Sequence, residues 1–162
     1  MKIIVRVQLV TDWGEVSEVD VAEIQRPSGE FDSKTLGLSL GDGKQIMHRL
    51  QQTVVSAQTD EFCELQRVCP CCHRWNPIKD YRPRKIDTVF GTVNLLSPRI
   101  ISCPCEPPWY FEMPISPIVS LIRDRATPEL QMLQARLCAG LSYRRVASIL
   151  REFLRVSDRL IT

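Results

Sequence analysis

Cys69-Pro70-Cys71-Cys72-His73, closed about thirty residues later by Cys103-Pro104-Cys105, sets the architecture of this chain. Between the two clusters runs Arg84-Lys85-Ile86-Asp87-Thr88-Val89-Phe90-Gly91-Thr92-Val93-Asn94-Leu95-Leu96-Ser97-Pro98-Arg99-Ile100, two β-runs hinged near Gly91. A hairpin with a cysteine knuckle at each foot reads as a zinc ribbon, in which four thiolates converge on one tetrahedral structural ion. Cys69 and Cys72 form a C-x-x-C pair that can bend round such an ion, and Cys103 and Cys105 form a tighter C-x-C pair. Thiolate is the soft donor that zinc (Zn) prefers. Cys71 is a possible extra ligand and His73 a further candidate, so the ligand set stays open at the first knuckle. Two other readings exist: a redox pair at Cys69 and Cys72, although no thioredoxin-like βαβ pattern surrounds it, and cysteines that are simply packed.

Working outward, the length of 162 residues suits one medium domain or two small ones. No apolar run is long enough to cross a membrane. The start, Met1-Lys2-Ile3-Ile4-Val5-Arg6-Val7, alternates and is too short for a signal peptide, so a cytoplasmic protein is expected. Seven cysteines in a reducing compartment point to metal rather than disulfides. The charge is uneven. Residues 1–64 hold eleven acids and six bases, residues 65–162 fifteen bases and eight acids, so the basic half is the one with the cysteines. After Lys85 every basic residue is arginine, whose planar fork matches phosphate. A basic half with a zinc ribbon suggests nucleic acid; the plain alternative is a solvated basic face.

Upstream of the ribbon, Lys2 to Val10 alternates as a strand, Thr11-Asp12-Trp13-Gly14 is turn chemistry, and Val16 to Ile24 reads as the return strand. Such a hairpin is not stable alone, and its expected partner is the helix that follows. Ile46, Leu50, Val54 and Phe62 fall near helical spacing, and Gly41 and Gly43 move the expected start to Lys44. Cys63 and His48 read as packed residues of this helix. On the ribbon, Arg74, Lys79, Arg82, Arg84, Lys85 and Arg99 are interleaved with Trp75 and Tyr81, a mixture that can grip a phosphate backbone and stack on a base; alternatively Trp75 packs over the metal site.

Downstream, Glu106 to Pro117 is rich in proline and aromatics, and reads as an extended strap anchored by Trp109, Tyr110 and Phe111. Ile118 to Arg125 reads as a short helix. Thr127-Pro128-Glu129 is a helix start, with a threonine cap, proline in the first turn and an acid beside it. That helix runs to Gly140, and Ser142 caps another carrying Val146, Ile149, Leu150 and Phe153. The pair has a helix-turn-helix pattern, with a third helix expected from Ser157, where the chain stops at Thr162 after little more than a turn. A helical hairpin without DNA function is the alternative.

Several stretches together resemble the N-terminal region of bacterial insertion-sequence transposases of the ISKra type. They are Thr35-Leu36-Gly37-Leu38-Ser39-Leu40, Lys44 to Gln58, Cys69-Pro70-Cys71-Cys72, Thr88-Val89-Phe90-Gly91-Thr92-Val93, Ser97-Pro98-Arg99, Cys103-Pro104-Cys105, Arg125-Ala126-Thr127-Pro128-Glu129-Leu130 and Leu141-Ser142-Tyr143, in collinear order over nearly the whole chain. The resemblance implies a DNA-binding region of a transposase, acting at the element's ends in DNA transposition and recombination. It also implies a catalytic core further along, an RNase H-like fold whose Asp-Asp-Glu triad holds two magnesium (Mg) ions for strand transfer. This sequence stops before such a core. Asp124, Glu129 and Asp158 are explained by helix starts, no catalytic residue is assigned, and the fragment is expected to be inactive alone. Cys71 is a second departure from the pattern.

The expected fold class is α+β. Residues 1–66 form a β-hairpin and long helix, 67–106 the zinc-ribbon module, 107–117 a proline-rich connector and 118–162 a helix-turn-helix-like region cut short. Cys69, Cys72, Cys103 and Cys105 are the expected metal ligands. Arg84, Lys85 and Arg99 on the ribbon, and Arg144, Arg145 and Arg151 on the helical pair, are the expected DNA contacts. The expected partner is double-stranded DNA, with a homo-oligomer compatible, no membrane, and a place at the nucleoid. The rivals are a zinc-stabilised protein-interaction module for transposase assembly, marked by binding that ignores salt, and a thiol redox protein.

Overall fold

The alternation read at the N-terminus forms an antiparallel hairpin of β1 (Lys2–Val10) and β2 (Val16–Gln25), registered Lys2↔Gln25 to Val10↔Val16 with a bulge between Val5 and Arg6. The computed structural model describes residues 1–26, 29, 36–105 and 114–154. One face of the hairpin is charged, with Lys2 on Glu23 and Arg6 on Glu18 and Asp20. The other buries Val21, Ala22 and Ile24, and β2 packs on the long helix α1 (Leu40–Leu65), the partner such a hairpin needs.

α1 starts four residues earlier than the glycines suggest. Ser39 Oγ accepts from Asp42 N (3.1 Å), and Ser39 N donates to an Asp42 carboxylate oxygen (2.8 Å), a complete capping box. The Arg26 guanidinium also bonds Asp42. Each glycine costs a helix about 1 kcal/mol relative to alanine, and the cap with its arginine offsets that. The Ser39 hydroxyl, then the Ser39 N–H, then Arg26 hold the Asp42 carboxyl down at about 2, below its ordinary 3.8. A lowered acid stabilises the fold fully above its unfolded value and loses that contribution as pH falls through the folded one. Amides of residues 42–44 are therefore expected to stay protected from pH 7 to about 4 and lose protection toward pH 2. An Asp42 titration midpoint near 4 by NMR would contradict this.

The second sheet is the expected central hairpin, β3 (Ile78–Thr88) and β4 (Gly91–Ile100), registered Ile78↔Ile100 to Thr88↔Gly91. Gly91 closes the turn at φ 118°, a left-handed region that disfavours any other residue. Alternation places Asp80, Arg82, Arg84, Ile86 and Thr88 on one face, opposite Arg99, Ser97, Leu95, Val93 and Gly91. The turn-proximal part of that face is apolar. Ile86, Val93 and Leu95 pack with Cys63 of α1 and Ile118, flanked by Val55 and Ile122, to form the central core. Cys63 is a packed thiol, and burial pushes it up to about 11. α1 also clasps the hairpin with polar groups. The Gln52 amide satisfies both Asn94 O (2.8 Å) and Asn94 N (3.0 Å), and His48 Nδ1 donates to Phe90 O (3.1 Å). His48 is thus half-buried and bonded.

The helix expected over Ile118 to Arg125 is shorter. α2 spans Pro117–Leu121, and the chain then bends at Asp124–Arg125 and meets β3 at one bridge, with Asp87 N donating to Arg125 O (2.7 Å) and Thr127 N to Asp87 O (2.9 Å). Proline at 128 disfavours helix at Thr127, and β3 offers a backbone partner instead. α3 (Pro128–Gly140) and α4 (Tyr143–Phe153) follow, starting after Thr127 and Ser142 as expected, although neither side chain makes a capping hydrogen bond. Leu130 of α3 and Val146, Ala147 and Leu150 of α4 are buried. Lys44 donates to the Arg151 and Glu152 carbonyls, fastening the end of α4 to the start of α1. The expected anchors Trp109, Tyr110 and Phe111, and the helix expected from Ser157, lie outside the described residues. The whole is α+β, with two small antiparallel hairpins and four helices among the described residues. None of those helices is long and apolar enough to cross a membrane.

Candidate metal centre and basic cleft

Hairpin register brings the two cysteine clusters together. After α1 the backbone folds into a knuckle in which Cys69 N donates to Arg74 O and His73 N to Cys69 O, both at 2.9 Å. His73 takes a left-handed conformation at φ 57° to close it. Asn76 N donates to Arg67 O (2.7 Å), which ties the knuckle to the end of the helix. At the other foot, Ile101 N donates to Pro77 O (3.0 Å) and extends the β3–β4 pairing past its last rung, so Cys103 reaches Cys72.

The sulfurs of Cys69, Cys72, Cys103 and Cys105 all lie within 4.8 Å of one another. Cys72 and Cys103 are 3.3 Å apart and Cys103 and Cys105 3.6 Å, well beyond the roughly 2 Å of a disulfide. Four thiolates on a zinc at its usual bond length are separated by about 3.8 Å, so spacing and donor chemistry fit a metal ion such as zinc. Cys69 is fully buried and Cys103 nearly so, while Cys105 is exposed. The Arg74 N–H, then the neighbouring Cys103, draw Cys72 down to about 7, and the neighbouring sulfurs push Cys105 up. Cys71 is exposed and, with His73, stands outside the group of four. Trp75 is exposed as well. The Arg67 guanidinium sits 5.0 Å from its ring centroid, a cation–π contact that orients the indole.

A second feature lies on the polar part of the β3–β4 inner face. A cleft of about 580 Å³ is lined by Arg82, Arg84, Lys85, Arg99, Arg123 and Arg125, with Ser97, Ser116, Pro83 and Val119. No carboxylate lines it among the described residues. Arg99 grips Asp80 through two bonds, one of 2.6 Å, and this holds the Asp80 carboxyl below its usual range. Arg82 reaches the same carboxylate at 3.7 Å. Arg84 donates to Ile122 O, and its Nε is buried without a hydrogen-bond partner. The hydroxyls of Ser97 and Ser116 bond each other.

The structure therefore divides the six expected cations. Arg84, Lys85 and Arg99 share the cleft, whereas Arg144, Arg145 and Arg151 lie exposed on α4. Arg123 and Arg125 are not among the expected contacts. The chain instead bends at Asp124 and Arg125 and is tied to β3 by the bridge between Asp87 and Ala126, which leaves both arginines at the cleft. Compared with protein-family models, curated proteins and solved structures, the chain matches none.

Proposed function

We propose that this chain is the DNA-binding N-terminal part of an insertion-sequence transposase, recognising double-stranded DNA at element ends. In this reading zinc on Cys69, Cys72, Cys103 and Cys105 makes β3–β4 a zinc ribbon, and α3–α4 serves as a helix-turn-helix-like unit. Strand transfer is assigned to none of its residues. The observation that carries the reading is that one hairpin bears both a four-sulfur cluster and a cleft with six cations and no carboxylate in its described lining. A rigid, metal-pinned frame that presents arginines is suited to a phosphate backbone. The transposase assignment rests on the collinear motifs.

The test is duplex binding as a function of salt. The logarithm of affinity should fall linearly with the logarithm of salt concentration, by about 0.9 per phosphate neutralised. Arg144→Glu with Arg145→Glu should lower that slope by about one for each phosphate these arginines neutralise. An unchanged slope and affinity would remove α4 from the interface. Salt-insensitive binding, or none, would favour the interaction module. That reading has its own support in the exposed apolar residues at the β1–β2 tip: Val10, Trp13 and Val16.

A further inference from the structure

We propose that the cleft between β3–β4 and the 116–125 segment is a built phosphate seat, with Arg84, Arg123 and Arg125 as its principal donors. That its occupant is a backbone phosphodiester of duplex DNA rests on the functional reading above; the phosphate chemistry does not.

Charge balance is the first argument. Of the six cations lining the cleft, Arg99 and Arg82 share Asp80. Arg84, Lys85, Arg123 and Arg125 have no carboxylate partner among the described residues. Cations brought together in this way repel one another, and a cleft of one sign concentrates its counter-ion. The second argument is a missing acceptor. Arg84 is held in place by the Ile122 carbonyl, and its Nε is a buried donor with nothing to bond. Such a group loses its hydration without compensation, and a guanidinium turned toward an anion in the cleft regains an acceptor. Third, Ser97 and Ser116 add hydroxyls to the lining. The volume is that of a small-ligand cleft, so it admits a phosphate with its flanking sugars.

Folding creates this site. Two backbone stitches set its walls: Ile100 with Ile115 (2.8 and 3.0 Å), and Asp87 with Arg125 and Thr127. They lay the 115–127 segment alongside the hairpin, so the arginines of both face one space.

The experiment uses the full chain with inorganic phosphate as probe. Phosphate should raise the melting temperature, as any ligand selective for the folded state does, and should shift the Arg84 Nε–H resonance saturably. Arg123→Gln with Arg125→Gln should weaken apparent phosphate affinity roughly tenfold or more, as expected when charge-assisted hydrogen bonds are removed. Arg49→Gln with Arg136→Gln, which removes equal charge from helix positions outside the cleft, should leave it unchanged. An equal weakening in both double variants, or an Arg84 shift that never saturates, would overturn the seat. A duplex arm separates the source. Duplex DNA that displaces phosphate at Arg84 assigns a backbone phosphate. A chain that takes phosphate with this variant pattern but ignores duplex keeps the seat and overturns the DNA reading. A chain that binds duplex without disturbing Arg84 keeps the DNA reading and overturns the seat as its anchor.

Discussion

Cys103→Ser is expected to release the metal and to unfold the β3–β4 hairpin with it. The substitution removes one of four sulfurs gathered within 4.8 Å, at a position that is almost fully buried. Serine is a poor zinc ligand and leaves a buried hydroxyl in place of a soft donor. Structural zinc contributes on the order of 10 kcal/mol in isolated zinc modules, comparable to the whole stability of a small domain. Beyond the cysteines, the feet are joined among the described residues by Ile78↔Ile100, the Ile101–Pro77 bond and the Arg99–Asp80 pair. Mass spectrometry on protein purified without added zinc should find one metal per chain in the wild type and none in the variant. Circular dichroism should show reduced structure in parallel. Cys71→Ser and Cys138→Ser are the controls, since both residues are exposed and stand outside the cluster. They should keep metal and fold. Wild-type protein that is folded and metal-free would sink the metal centre, and metal release by Cys71→Ser would redraw the ligand set.

Ile86→Ala should cost about 2–5 kcal/mol, and Ile86→Val about 0.5–1.5. Ile86 is wholly buried, faces Val93 across the hairpin and packs with Leu95, Cys63 and Ile118. Truncation leaves a cavity where hairpin, α1 and α2 meet, and a two-stranded sheet has little else to rest on. Urea unfolding should show a lower midpoint with an unchanged slope. A shift worth less than about 1 kcal/mol would mean that the core relaxes around the gap, against close packing. Arg84 lies two residues from Ile86 on the same face, so phosphate or duplex binding should weaken along with stability.

Much of this was legible in the residues. Alternation at Lys2–Val10 and on both sides of Gly91 predicts the two hairpins, and the Thr127-Pro128 and Ser142 starts predict α3 and α4, because propensity and capping act within a few residues. The cysteine spacing predicts that the two knuckles meet, but it leaves Cys71 and His73 open as ligands; the folded chain is what gathers the sulfurs of Cys69, Cys72, Cys103 and Cys105. What stayed hidden depends on distant partners. Gly41 and Gly43 argue for a late start to α1, and Asp42 clasped by Arg26, sixteen residues earlier, overrides them. The apolar pattern after Pro117 favours a helix as far as Arg125, and the backbone of Asp87 draws the chain out of it.

Local chemistry and spacing were thus enough to specify most of the elements, the cysteine-bearing feet of the central hairpin and the basic bias of the C-terminal part. The cleft needed the assembled chain. Its cations come from β3, β4 and the segment after α2, and no linear window holds them together. Strand register places Arg84 and Arg99 on one face, the Asp87–Ala126 bridge adds Arg123 and Arg125, and the shared space has a charge that none of the segments carries alone.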